Sequence, residues 1–315
     1  MPLMFLMSVL ALADTSPRPF GLPLDCDLGR TCEIQNYVDR DPGPGAKDYR
    51  CSSRTYEAHS GTDFRILDMR AQKAGVAVLA AADGKVLRIR DGVADVSVRE
   101  AGAVLGQECG NGLVIEHADG LSTQYCHMAK GSLAVKPGMT VKAGAKLGLV
   151  GLSGNTEYPH LHFTVRRGGA VIDPFAPDAT GGPNQCGGGK SLWRASPPYK
   201  AGAVLNVGFA AEPVSLAAVE AGVVPPTGSS NALIAYVRAI GLQAGDQQSL
   251  SLHAPNGAIL AKTDTPPLAR DQAQRLLYVG KPRPSTRWGK GRYEAVYRVV
   301  RKGAPVIERR WTIAL

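Results

Sequence analysis

Between His59 and Pro174 the chain reads as short apolar runs cut by turns. Val76-Ala-Val-Leu-Ala-Ala-Ala82 is followed by Asp83-Gly84 and then by Lys85-Val-Leu-Arg-Ile-Arg90, a pattern that predicts strand, tight turn, strand. Gly112–His117 and Leu121–Cys126 flank Ala118-Asp119-Gly120 and predict a second hairpin. Val135–Val141 and Ala145–Gly151 continue the series, and no long helical period interrupts it. Beyond residue 200, strands are predicted at Val204–Ala210, Ala232–Ile240, Gln248–His253, Arg275–Gly280, Arg292–Val300 and Val306–Ala314. Several alternate apolar and polar residues, and about seven short strands in roughly 115 residues predict a β-sandwich of Ig-like type. The expectation is an all-β protein: an antiparallel β-sheet domain followed by a β-sandwich.

The segments between these runs suggest the organisation. Residues 14–50 are rich in Pro, Gly and Asp, including Asp41-Pro-Gly-Pro-Gly45, and read as an extended lead-in tethered by cysteines. The first domain is expected over 51–180, a linker over 181–198 and the sandwich over 199–315. Gly189-Lys190-Ser191 resembles the end of a phosphate-binding loop, but the first Gly of that motif would fall at Asn184 and no strand leads in, so a linker is expected there. Met1–Ala13 is apolar and ends in Ala11-Leu12-Ala13, a small-x-small cleavage pattern. It reads as a secretory signal lacking the usual basic start, the alternative being a frayed hydrophobic end. It is too short to span a bilayer and no later stretch is long enough, so no integral membrane segment is expected.

Composition refines this picture in three respects. The 37 Gly and 22 Pro among 315 residues favour turns. The net charge of +9 favours acidic partners: nucleic acid, an anionic membrane or an anionic polymer. No Lys/Arg block or aromatic–basic interleaving occurs, and Arg298, Arg301, Lys302, Arg309 and Arg310 alternate with apolar residues as a solvated strand face does. Nucleic acid is therefore not the expected partner. Six cysteines, an even count behind a secretory signal, predict three disulfides. No C-x-x-C occurs to suggest cysteine-bound zinc. Pairing across the Ala118–Gly120 turn brings residues near 110 opposite those near 126, at the strand spacing of about 4.8 Å, so a Cys109–Cys126 bridge is expected. Cys26, Cys32, Cys51 and Cys186 allow three pairings, and the sequence does not choose among them.

Five of the six histidines lie between residues 59 and 162, and the informative ones sit in His59-Ser-Gly-Thr-Asp63, Tyr125-Cys-His127 and His160-Leu-His162. Pro159–Arg166 reads as a strand, and residues i and i+2 of a strand share a face, so His160 and His162 are expected to face one cleft. Two His and one Asp meet the donor requirement of a catalytic zinc site, three protein ligands plus water. A further histidine can move protons or stabilise an oxyanion.

The stretch from His59 to Val165 resembles the lysostaphin-type (LytM) zinc endopeptidases of peptidoglycan. The resemblance rests on His59-x-Gly61-x-Asp63, on Ala80-Ala-Ala-Asp83-Gly84-Lys-Val86, on Gly110-Asn111-Gly-Leu-Val-Ile115 with Tyr125-x-His127, on Val135-x-x-Gly138-x-x-Val141-x-x-Gly144, and on Pro159-His-Leu-His-Phe163. It implies that His59, Asp63 and His162 bind one zinc ion per chain, and that His127 and His160 are catalytic, non-ligand histidines. Thr164 stands where the family often has Glu, Glu157-Tyr158 replaces small residues, and Asp91–Glu108 is an insert; these departures bear on substrate preference. The expected function is a secreted, periplasmic or extracellular zinc metalloendopeptidase cutting peptide cross-links of peptidoglycan. The alternative is a catalytically inactive wall-binding or regulatory protein using the same groove. His117 is expected to be a hydrogen-bonded structural histidine, His253 a surface or packing residue, Asp83 and Asp119 turn residues, and Trp288 and Trp311 sandwich core.

Overall fold

A computed structural model describes residues 20–102, 104–178, 186–187, 190–284 and 286–315. The apolar run read as a secretory signal lies outside the described residues, as does Gly189.

The N-terminal half is built on strands β1 (Cys32–Asn36), β2 (Thr62–Ile66), β3 (Ala77–Leu79), β4 (Gly84–Arg90), β5 (Asn111–Glu116), β6 (Leu121–Met128), β7 (Thr140–Val141), β8 (Lys146–Leu149), β9 (His160–Arg167) and β10 (Ala170–Ile172). Eight of them form one antiparallel sheet in the order β1-β2-β9-β6-β5-β4-β7, with β10 also pairing β9. Along β2 and β9 the side chains alternate. Phe64, Leu161, Phe163 and Val165, with Tyr125 of β6, turn into a core shared with Phe20 and Trp193. Burying each such side chain contributes roughly 1.5–3 kcal/mol. Asp63, Arg65, His160 and His162 occupy the alternate positions and line the other face.

Two sequence expectations need correction here. Val76–Ala82 and Lys85–Arg90 do not form a hairpin: β3 pairs with β8 in a separate two-stranded sheet, and β4 pairs with β5 and β7. Asp83 is a link between sheets, its carboxylate accepting from the Ala143 N–H and pairing with Lys142; a turn signal shows where the chain reverses, not which strand it then pairs with. The lead-in is not tethered by its cysteines either, for Cys26 and Cys32 bond to each other and the segment is held instead by β1, the edge strand of the main sheet beside β2.

The C-terminal half contains strands β11 (Ala203–Ala210), β12 (Ala232–Leu242), β13 (Gln247–His253), β14 (Ile259–Asp264), β15 (Gln272–Pro282), β16 (Arg292–Arg301) and β17 (Ala304–Ala314). They form one sheet in the order β11-β12-β15 and another in the order β14-β13-β16-β17. Phe209 and Leu233 of the first meet Leu252, Tyr293 and Ala295 of the second around Trp288. Trp311 packs at the edge of this core and donates its indole N–H to the Gly208 carbonyl at 3.0 Å. β14 has no counterpart among the expected strands; its Ile259-Leu-Ala-Lys-Thr-Asp264 lacks a clean two-residue alternation. Among the described residues the helices are short: α1 (Met69–Ala74), α2 (Val98–Ala101) and α3 (Leu216–Ala221). None is long and apolar enough to cross a membrane.

Disulfides join Cys109 to Cys126, as expected from the turn between β5 and β6, and also Cys26 to Cys32 and Cys51 to Cys186. Leu192 and Trp193, in the stretch read as a linker, are buried in the N-terminal core.

Candidate active site

Strand register assembles the site. Across β2 and β9, Asp63 lies opposite His162, and across β9 and β6, His162 lies opposite Cys126. His59, four residues before Asp63, comes from the loop entering β2. Three donor atoms converge: His59 Nε2 to Asp63 Oδ1 is 3.1 Å, His162 Nδ1 to Asp63 Oδ1 is 2.9 Å, and His59 Nε2 to His162 Nδ1 is 3.2 Å.

The atoms behind these donors decide what the cluster can hold. His59 Nδ1 lies 2.6 Å from the Tyr37 carbonyl. A carbonyl only accepts, so Nδ1 carries the hydrogen and Nε2 points its lone pair at Asp63. Two lone pairs 3.1 Å apart repel unless a cation sits between them. Burial alone would lower the His59 pKa, yet the Asp63 carboxylate reverses this and the net direction is upward. Burial likewise raises the Asp63 carboxyl, but the pull of His59 and His160, with the His162 ring beside it, holds it well below the usual carboxylate range. Burial lowers the His162 pKa, with Asp63 opposing, and its Nε2 is 3.0 Å from the Thr164 hydroxyl. Asp63 Oδ2 accepts from the Asn36 amide at 2.9 Å.

This arrangement fits a metal ion. Two ligands each about 2.05 Å from a tetrahedral ion stand about 3.3 Å apart, close to the observed separations. The remaining nitrogen of each candidate ligand histidine is hydrogen-bonded, as metal-bound imidazoles are oriented. Three donors leave a tetrahedral ion one open position, the pattern of catalytic rather than structural sites.

His127 and His160 stand beside the cluster. His160 Nε2 is 3.4 Å from Asp63 Oδ1, and its ring centroid is 4.7 Å from that of His127. His160 Nδ1 faces the Tyr158 carbonyl at 3.0 Å and the Thr156 hydroxyl at 3.1 Å. His127 Nδ1 faces the Ser153 carbonyl at 2.8 Å. Both rings thus carry Nδ1–H and present Nε2. Burial, reinforced by His160 and His162, lowers the His127 pKa well below its ordinary value and leaves the ring neutral at neutral pH. The backbone that aims His127 is unusual, with φ +60° at a bulge where β6 spends one residue more than β5. Bulges of this kind re-aim side chains. Here the bulge is pinned by the Cys109–Cys126 disulfide and by the His127 N–H donating to the Cys109 carbonyl at 2.8 Å.

The cluster lies at the floor of a groove of about 330 Å³ whose walls include Tyr56, Glu108, Asn155, Thr164 and Arg166. The insert and the Glu157-Tyr158 substitution touch each other: the Ser97 hydroxyl donates to the Glu157 carbonyl at 3.1 Å and Arg99 pairs with the Glu157 carboxylate at 2.6 Å.

Residues 57–174 match the family model described as peptidase family M23. This segment is an M23 peptidase domain. The chain is 35% identical over 120 residues to peptidoglycan DD-endopeptidase ShyB of Vibrio cholerae, which covers 38% of this chain and 23% of that protein. It is 32% identical over 122 residues to DD-carboxypeptidase/endopeptidase Mpg of Neisseria meningitidis, covering 39% and 23%. The chain therefore spans less than a quarter of the length of either relative. A crystal structure of a zinc-containing peptidase from Vibrio cholerae aligns at 30% identity and TM-score 0.34, over 50% of this chain and 39% of the other.

Around the cluster, sequence reasoning did not reach Asn36 and Tyr37, which precede the matched segment, or Ser153 and Thr164 within it, as orienting groups. Two of these act through main-chain carbonyls, for which no residue type is a signal. His117 lies apart from the cluster, bonded to the Asp83 carbonyl and the Thr123 hydroxyl. His253 lies in the C-terminal sandwich, 2.8 Å from the Ser251 hydroxyl.

The glycine of His59-x-Gly61-x-Asp63 has a steric reason. A Cβ at Gly61 would stand 2.7 Å from His162 Nε2 and 2.8 Å from the Phe163 carbonyl. Gly61→Ala is expected to cost about 1–3 kcal/mol of stability through overpacking and to tilt His162 away from Asp63. Thermal melting and metal titration of the purified variant check both consequences; unchanged metal affinity would contradict the second.

Proposed function

We propose that the protein is a zinc metalloendopeptidase that hydrolyses peptide cross-links of bacterial peptidoglycan outside the cytoplasm. His59, Asp63 and His162 would hold the metal, residues 51–180 the chemistry, and residues 199–315 an accessory role. One observation carries this reading: three oriented donor atoms converge at the floor of a groove, with two further histidines presenting Nε2 beside them. Zinc bound by such a set supplies Lewis-acid polarisation of a carbonyl and acidifies a water.

The chain's own groups supply proton handling and orientation. His127, neutral and with Nδ1–H committed to Ser153, offers Nε2 as a proton acceptor in the groove. His160, held through Nδ1 by Tyr158 and Thr156, places Nε2 3.4 Å from Asp63 Oδ1, beside the donor cluster, where it would steady the oxyanion. The names of the relatives, both peptidases and one a peptidoglycan DD-endopeptidase, support the substrate class. Three disulfides support an oxidising compartment.

Digestion of purified sacculi tests the reading. Release of soluble fragments is expected to stop when the protein is stripped with a chelator and to return with about one equivalent of zinc per chain. Undiminished release by metal-free protein would contradict it.

A further inference from the structure

Arg65 sits two residues after Asp63 on β2, opposite His160 of β9, and is 1% exposed. Its burial is completed from the other half of the chain. Its Nη2 donates to Glu220 Oε2 of α3 at 2.7 Å, and its Nη1 donates to Gln35 at 3.1 Å and Gln274 at 3.3 Å. The same Glu220 oxygen pairs with Arg238 of β12, also 1% exposed, whose remaining nitrogens donate to Asn206 at 2.7 Å and to the Leu67 carbonyl at 2.6 Å. One carboxylate thus bridges two buried guanidinium groups, which would otherwise repel each other. The Arg65 guanidinium stands 3.7 Å from the centroid of the Tyr158 ring. Tyr158 in turn supplies the carbonyl that receives His160 Nδ1–H, and its ring lies 5.2 Å from the imidazole.

We propose that Glu220 is a positioning residue for His160, holding Arg65 against the Tyr158 ring and so fixing the carbonyl that orients the imidazole. This rests on the reading of His160 as a catalytic group. Removing one partner from a buried ion pair leaves an uncompensated charge, which must move toward solvent. Without Glu220, Arg65 and Arg238 face each other with no carboxylate between them, and Arg65 leaves the Tyr158 ring. The C-terminal sandwich then sets the geometry of the site from a distance, through two side chains and one carbonyl, without touching substrate.

The test is a double-mutant cycle on solubilised cross-linked muropeptides, with metal content measured for every variant. Glu220→Gln is expected to lower kcat about tenfold, as loss of an orienting partner does, with KM and zinc content unchanged, and Glu220→Asp to restore part of the loss. In a His160→Ala background the effect of Glu220→Gln should vanish, because there is no imidazole left to orient. Tyr158→Leu leaves the ion pair in place and should reproduce the kcat loss, which keeps the test decisive if Glu220→Gln fails to fold. An unchanged kcat in Tyr158→Leu, or a Glu220→Gln loss that persists in full without His160, overturns the proposal. Full activity of His160→Ala by itself overturns instead the catalytic reading on which it rests.

Discussion

Replacing Asp63 by alanine is expected to abolish metal binding and activity together. Asp63 Oδ1 is the atom that His59, His162 and His160 all approach, at 3.1, 2.9 and 3.4 Å. With the carboxylate gone, His59 Nε2 and His162 Nδ1 remain 3.2 Å apart with no anion to balance a divalent ion. Polarisation by a metal is worth several kcal/mol, and each step of about 1.4 kcal/mol is tenfold in rate, so turnover should fall by roughly a thousandfold or more. The Asn36 amide also loses its acceptor, which costs about 1–3 kcal/mol of stability. Asp63→Asn separates these effects, since it keeps the shape and removes the charge. Elemental analysis of both variants, read beside thermal melting, is the check. Retention of one zinc per chain by a folded Asp63→Ala protein would remove Asp63 from the ligand set.

The second large effect belongs to the histidines outside the ligand set. His127→Ala and His160→Ala are each expected to keep the metal and to lose turnover by about a hundredfold or more. The reason lies in their second nitrogens. Each ring is held from behind by a backbone carbonyl, of Ser153 or of Tyr158, and neither is needed to close the triangle of His59, Asp63 and His162. His127 carries the additional cost of a left-handed backbone at φ +60°, a conformation worth of order 1–3 kcal/mol of strain. His127→Gly is therefore expected to be more stable than His127→Ala while equally inactive. Zinc analysis and kcat on muropeptides decide the assignment; loss of metal in either variant would make that histidine a ligand.

How far the chain could be read in advance depended on the range of the interaction concerned. His160 and His162 share a strand, so a two-residue period was enough to place them on one face, and β9 bears this out. The hairpin of β5 and β6 was legible because Asp119-Gly120 closes it locally, and Cys109–Cys126 followed from that closure. β3 and β4 were misjudged because pairing is decided by distant partners, β8 in one case and β5 with β7 in the other. β1 was hidden because its pairing with β2 crosses a Pro- and Gly-rich stretch. That omission hid Asn36, and the carbonyl of Tyr37 beside it. The Arg65–Glu220–Arg238 cluster was illegible for the same reason: residues 155 and 173 positions apart in the chain carry no pattern that joins them.

The most direct test of the central claim is the identity of what the protein releases from purified sacculi. The released material, weighed by mass spectrometry, should be peptide-bearing glycan strands in which one water has been added across an amide of each former cross-link, each cut exposing a new amine, with no new glycan reducing ends. The same digestion by Asp63→Asn should yield none of them. Release of new glycan reducing ends, or equal release by wild type and Asp63→Asn, would contradict a metal-dependent cut at peptide bonds by this site.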